Sequence, residues 1–246
     1  MRALYKQGLE MLQDIERELT PENSIYNREV RARCLLERAR MLRGLKENGK
    51  ATTCAAAAWA IIDADDAFFD DDLVIDVLHL LALLQDNPKE NITWNLRAYA
   101  MAKKSQHANA IKWISIIGDN LGWVCLEVGE VEASIKYFQM ALEAREKLGD
   151  AECIRLAKWM VARAMRSNKL HKEAIAALKE LESEYKSLGK VDGYVCEEIA
   201  ENLHELGHDE DAKPYFKMAW QELLNDTLLC EHHPQHRLER LHELGE

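Results

Sequence analysis

A small side chain, a bulky one four residues later and an apolar one three beyond that recur three times. The sets are Ser134, Phe138, Ala141; then Ala174, Leu178, Leu181; then Ala212, Phe216, Ala219. Each follows an apolar-periodic segment with its own small residue, Gly122, Ala162 or Ala200, and in two of the three the turn between carries a glycine, Gly129 or Gly207. Two antiparallel helices approach closely only where neither carries a large side chain, and a bulky neighbour fills the space beside that contact. The chain is thereby restricted to stacked helical hairpins.

The rest of the sequence agrees. Breaks fall at 19–24, 46–51, 63–72, 85–91, near Ser105, and at 127–131, 148–152, 167–170, 188–193, 206–211 and 231–235. Between them run segments with apolar positions at helical spacing. Only four prolines and eleven glycines interrupt 246 residues, and the strong helix formers Ala, Leu, Glu and Lys abound. About twelve helices joined by short turns are predicted, and short turns make neighbours antiparallel. No Pro/Gly/Ser-rich linker divides the chain, so residues 1–246 read as one helical domain.

The recurring unit resembles the tetratricopeptide repeat, whose unit is about 34 residues. Here the marks at Ser134, Ala174 and Ala212 lie 40 and 38 residues apart, so the units are longer; "EAREKLGD" and "LESEYKSLG" hold the extra length. Trp123 is displaced relative to the family pattern, following the glycine. Three extended units occupy 115–224, residues 1–114 form atypical or degenerate hairpins, and 225–246 provide a C-terminal capping helix. A weaker fourth unit lies at 34–62, with Gly49 at its turn, Cys54 at the small position and Ala58 in place of the bulky residue. The fold implied is all-α: a right-handed superhelical stack of antiparallel hairpins, an α-solenoid.

By that resemblance, the helix-A face of each unit lines the groove of the superhelix. The residues placed there are Ile116, Asp119, Trp123, Leu126 and Glu127; Leu156, Trp159, Arg163, Arg166 and Ser167; Tyr194, Glu197, Glu201, His204 and Glu205. Trp, Tyr and Arg dominate binding hot spots. The implied function is a scaffold or adaptor holding a peptide or helix segment through Trp123, Trp159, Arg163, Arg166, Tyr194, Glu197 and Glu201. Arginines would take an acidic group of the partner and glutamates a basic one. The bland counterpart is that both tryptophans pack between repeats while Arg163 pairs with Glu201 or Glu197. The Lys/Asn/Arg carboxylate clamp of some family members is not matched, since Asp119, Trp123 and glutamates stand at its positions.

A second reading, of a different class, is a small-molecule site or enzyme built from the atypical segment: His79, Trp94, Arg97, His107, Trp113 and Asn120. Asp76, three residues before His79, offers an orienting carboxylate that would raise the imidazole pKa. A third is self-association of the solenoid through an uncapped end as a homo-oligomer. His204 and His208 have metal-ligand spacing but straddle a turn, and Cys230, His232, His233 and His236 gather around Pro234; neither group is assigned a metal, and no cofactor is expected. No phosphate-binding, zinc-protease, nucleophile-elbow or calcium-loop motif occurs.

Net charge of −11 argues against nucleic acid. One basic stretch, Arg28 to Lys50, precedes the acidic "DADDAFFDDD" at 63–72, and the two are suited to attract each other. No apolar run reaches the ~18 residues of a membrane span, and the start lacks a secretory leader. Six isolated cysteines with no CxxC point to a reduced, cytoplasmic setting.

Overall fold

The structure, a computed structural model, describes residues 2–19, 25–64, 69–224, 226 and 235–246. Among the described residues there are twelve α-helices and no strand. They are α1 (Arg2–Glu18), α2 (Ile25–Gly44), α3 (Asn48–Asp63), α4 (Asp71–Leu83), α5 (Pro88–Lys104) and α6 (Ala110–Glu127). Then follow α7 (Val131–Leu148), α8 (Ala151–Ser167), α9 (His171–Ser187), α10 (Gly193–Glu205), α11 (Asp209–Leu223) and α12 (Gln235–Gly245). The all-helical, tetratricopeptide-like fold read from the sequence is the fold observed. The chain divides within α6 into two compact units, residues 1–124 and 125–246.

Four hairpin turns share one geometry. A single residue takes the left-handed conformation, and the amide after it donates to the carbonyl five residues back. The left-handed residues are Lys46 (φ 66°), Gly129 (81°), Lys169 (58°) and Gly207 (76°). The closing bonds run from Glu47 to Leu42, Glu130 to Cys125, Leu170 to Met165 and His208 to Leu203, at 2.8–2.9 Å. This is the Schellman arrangement, which satisfies carbonyls orphaned at a helix end. Five residues past each left-handed residue stands a fully buried small side chain: Ala51, Ser134, Ala174 and Ala212.

That register corrects the fourth unit. The sequence marks its turn with Gly49 and its small position with Cys54. Instead Lys46 makes the turn, Gly49 lies inside the first turn of α3, and Ala51, Ala55 and Ala58 hold the three contact positions at 0% exposure. Glycine is the usual left-handed residue but not the obligatory one; Lys169 does the same in a unit the sequence aligned correctly.

In the first unit α1 packs on α2, α2 on α3, α3 on α4 and α4 on α5. Every-second-helix contact appears as α2 against α4. The second unit repeats this with α7 on α8, α8 on α9, α9 on α10, α10 on α11 and α11 on α12, while α8 also meets α10. Its core is continuous across these pairs. Ala162, Leu178, Leu181, Val195 and Ile199 form one buried cluster, and Cys196, Ala200, Ala212, Phe216, Ala219, Leu223 and Leu241 the next. Leu241 belongs to α12, so the C-terminal helix closes the last hairpin by burying its apolar stripe.

Candidate functional site

On α8, Trp159, Arg163 and Arg166 fall at intervals of four and three and share one helix face. On α10, Tyr194, Glu197 and Glu201 fall at intervals of three and four, with Glu198 next to Glu197 and turned toward α8. Both helices start on an aspartate that accepts from exposed amides: Asp150 from Glu152 and Cys153, Asp192 from Val195. Gly193, the first residue of α10, is buried against α11. A Cβ there would come within 2.8 Å of Leu223 Cγ and 2.9 Å of Glu222 Cβ, so glycine permits the close approach.

The charged half of this face is internally paired. Glu198, 1% exposed, accepts from Arg163 and, at 2.7 and 3.2 Å, from Arg166 Nε and Nη2. Glu197 receives a two-pronged contact from Arg237 on α12, with Nε at 2.7 Å. Glu201 receives another from Arg240, with Nη2 at 3.0 Å. Three carboxylates of one helix are thus gripped by two arginines from α8 on one side and two from α12 on the other. Burial works to lower the pKa of Arg166 and of Arg237, but the hydrogen bonds they donate to Glu198 and Glu197, with the charge attraction of those carboxylates, outweigh it, and both stay raised. Beneath them the Asn202 amide donates to the Glu198 carbonyl at 2.7 Å, and its oxygen accepts from His171 Nδ1 at 3.1 Å.

The aromatic half is more open. Trp159 Nε1 donates to the Tyr194 carbonyl at 3.2 Å, and the two rings meet edge to face at 6.0 Å. Tyr194 donates its hydroxyl to Asp226 at 2.9 Å. Burial, then that carboxylate, pushes the Tyr194 phenol up to about 12. Burial and Asp192 push Tyr185 up to about 12 as well. Between these rings lies a cleft of about 210 Å³ lined by Leu156, Trp159, Tyr185, Asp192, Tyr194 and Val195. Leu156, at its rim, is 45% exposed.

The remaining sequence candidates belong to the first unit, or to neither charged cluster. Trp123 sits half-buried on α6. His79 packs against Trp113 with ring centroids 5.3 Å apart. Asp76 turns away from His79 to pair with Arg40, and that is a correction to the Asp–His pair read from the sequence. Burial, then Arg40 and Arg43, lowers the His79 pKa to about 4, the reverse of the expected direction. Trp113 Nε1 donates to Asp72 at 2.7 Å, Asn109 adds a bond at 3.1 Å to the same oxygen, and His107 lies 3.7 Å from it. Trp113 and His107 therefore meet at one carboxylate, and His79 joins them only through its ring contact with Trp113. Trp94 and Arg97 stack on each other at 4.7 Å, with Trp59 edge-on to Trp94 at 6.0 Å. The amide nitrogen of Asn120 is buried and has no hydrogen-bond partner among the described residues.

The basic and acidic stretches do meet, Arg33 reaching Asp70 at 3.2 Å. His204 pairs with Asp209 at 2.6 Å, across the turn that separates it from His208. Among the described residues no group of three or more His, Cys, Asp or Glu is placed to hold a metal. Cys230, His232 and His233 lie outside those residues. None of the described helices is long and apolar enough to cross a membrane.

Sequence reasoning missed Glu198 as the partner of Arg163 and Arg166, and it missed Arg237 and Arg240. The signal is present in the sequence: "RLERLHEL" carries two arginines three apart beside three leucines.

The sequence matches no family model and no curated protein sequence. Its structure does have relatives. A Podosopora anserina protein described as a kinesin light chain of nearly identical TPR-like repeats superposes with a TM-score of 0.64 at 14% identity, over 80% of this chain and 97% of that one. The tetratricopeptide-repeat sensor protein of the STAND ATPase class from Pyrococcus horikoshii gives 0.68 at 14%, over 90% of this chain and 35% of that one. A Rap protein complexed with Competence and Sporulation Factor gives 0.56 at 12%, over all of this chain and 76% of that one. At such identities the likeness establishes the fold, a tetratricopeptide-like stack of helical hairpins.

Proposed function

We propose that this chain is a protein-interaction scaffold or adaptor that holds a peptide or helix segment on the helix-A face of its repeats. The observation that carries this reading is the cleft between α8 and α10. It is apolar, rimmed by an exposed leucine, built on two tyrosines and a tryptophan, and about the volume of one large side chain. An aromatic or branched side chain of a partner would seat there, with Asp192 at the edge to meet a basic neighbour. The partner-binding set then centres on Trp159 and Tyr194. Arg163, Arg166, Glu197 and Glu201 hold the face rigid through their pairing and would meet polar groups of the partner at its rim. The Rap protein complexed with Competence and Sporulation Factor supports the reading, because a protein of similar fold is there seen with that factor bound.

The test is selection of displayed random peptides on the purified protein, with counter-selection on Leu156→Arg and Trp159→Ala. Enriched sequences should share a bulky apolar anchor and lose about 30-fold in affinity on either variant, the scale of a hot-spot anchor. Leu156 is exposed, so its replacement blocks the cleft without disturbing the core. Enrichment of nothing, or of peptides indifferent to both changes, would sink the proposal.

A further inference from the structure

Glu197 and Glu201 stand four apart on α10, the spacing at which like charges on a helix repel. Their side chains are only 9% and 11% exposed. Glu198 between them is fully engaged by Arg163 and Arg166 from α8. Among the described residues the ion pairs to Glu197 and Glu201 come from α12, through Arg237 and Arg240, while Arg166 of α8 adds charge attraction to both. The same two guanidiniums lie over aromatic rings of the hairpin beneath, Arg237 over Tyr194 at 5.4 Å and Arg240 over Phe216 at 5.7 Å. Leu241 is fully buried with Phe216 and Ala200, flanked by Leu238 and Leu244. The tail of α12 sits tight on α11: a Cβ on Gly245 would come within 2.8 Å of the Lys217 amide nitrogen.

Every element of this contact is a receptor feature. Two desolvated carboxylates at helical spacing select two cations at matching spacing, each held by a forked guanidinium that lysine does not reproduce. The apolar strip beside them selects leucines at the next helical positions. From the geometry we infer that the Glu197–Glu201 face of α10 is a docking site for an amphipathic helix of the pattern Arg-Leu-x-Arg-Leu-x-x-Leu, and that α12 is its built-in occupant. A partner protein presenting such a helix binds by displacing α12. Residues 224–234 tether α12 to α11, so the resident helix acts at high effective concentration and raises the affinity an incoming helix needs. This deepens the proposed function and rests on the helix-A face being a binding face, but it centres on Glu197 and Glu201 and shares with the aromatic cleft the Tyr194 ring, over which Arg237 lies.

The probe is a fluorescein-labelled peptide of residues 235–246, QHRLERLHELGE, titrated into the full-length chain and followed by anisotropy. The wild type should bind weakly, because its own helix fills the site. Arg237→Gln/Arg240→Gln in the full chain should bind about tenfold more tightly or better, since apparent affinity scales with the fraction of open sites. The fourfold charge swap Glu197→Arg/Glu201→Arg/Arg237→Glu/Arg240→Glu should refuse the peptide while keeping its helicity and melting temperature, because its reversed pairs reform. Equal affinity in wild type and the glutamine variant, or no binding to that variant at millimolar peptide, overturns the inference. So does a concentration-dependent wild-type dimer abolished by Glu197→Lys/Glu201→Lys, which would make a second copy's α12 the occupant. The cleft reading is judged separately, because Leu156→Arg, at the outer rim of the cleft, should leave the peptide's affinity unchanged.

Discussion

His79 provides the sharpest test of how the first unit is built. Its imidazole is enclosed by α4 and Trp113, and burial together with the charges of Arg40 and Arg43 lowers its pKa from 6.5 to about 4. The folded chain therefore leaves His79 neutral over a range in which the unfolded chain protonates it. Stability rises with pH wherever the unfolded state binds more protons. The contribution of His79 is accordingly complete above about pH 6.5, falls as pH drops through that value, and is lost below about pH 4. Lowering pH from 7.5 to 5 removes about 2 kcal/mol from this one group. Other groups titrate over the same interval, so the quantity to measure is a difference of differences. Urea unfolding of wild type and His79→Gln at both pH values should show the variant losing about 2 kcal/mol less. The His79 ring resonances followed by NMR from pH 8 to 5 should also stay flat. A titration midpoint at or above pH 6, or equal pH sensitivity of the two proteins, would refute the buried neutral imidazole. It would also restore His79 as a candidate acid–base group.

Further outcomes follow from the second unit. Glu198→Ala leaves Arg163 and Arg166 facing each other without their shared carboxylate; because those side chains are 33% and 21% exposed, the penalty is about 2–3 kcal/mol, below that of a fully buried pair, read as a melting temperature lower by about 5–10 °C. Gly193→Ala drives a methyl into Leu223 and Glu222 and should cost about 1–3 kcal/mol in thermal or urea unfolding, with no change at the equally helical but uncrowded Gly49→Ala.

The fold was legible because its grammar is short-range. Helix boundaries follow from the turns, and ten of the eleven breaks read from the sequence enclose or adjoin the observed ends of described helices; the last, at 231–235, lies almost wholly outside them. The spacing put small residues at Ser134, Ala174 and Ala212, each buried five residues past a left-handed turn residue, and it slipped by three residues at α2–α3 because Gly49 drew the turn away from Lys46. At α3 the cue was inherently weak. Ala51, Ala55 and Ala58 all occupy contact positions, so no bulky residue marks the phase of an alanine-rich helix.

The candidate site was legible only as a composition. Helical spacing put Trp159, Arg163 and Arg166 on one face and Tyr194, Glu197 and Glu201 on another, and both faces are real. Which charges meet is settled by how α8, α10 and α12 are rotated about their axes, and no local pattern encodes that. Glu198 illustrates the point. It is one residue from Glu197 and about 100° round the helix, so a small rotation decides which of the two faces α8 and which faces α12. The structure gives Glu198 to α8 and Glu197 to α12.

That division explains why one helix carries three acids in five residues. An α10 with only Glu198 would satisfy α8 and leave α12 held by Leu238, Leu241 and Leu244 alone. An apolar strip of three leucines fixes no register, since it tolerates sliding and other leucine-bearing helices. Adding Glu197 and Glu201 makes the docked position of α12 specific, because forked arginine–carboxylate contacts have one good geometry. Partly exposed ion pairs add little stability, about 0–1 kcal/mol each, so their effect is selection more than strength. A cap meant only to shield the end of the stack has no need of selection. A site meant to accept one kind of helix and refuse others does, and that selection is what the peptide titration measures.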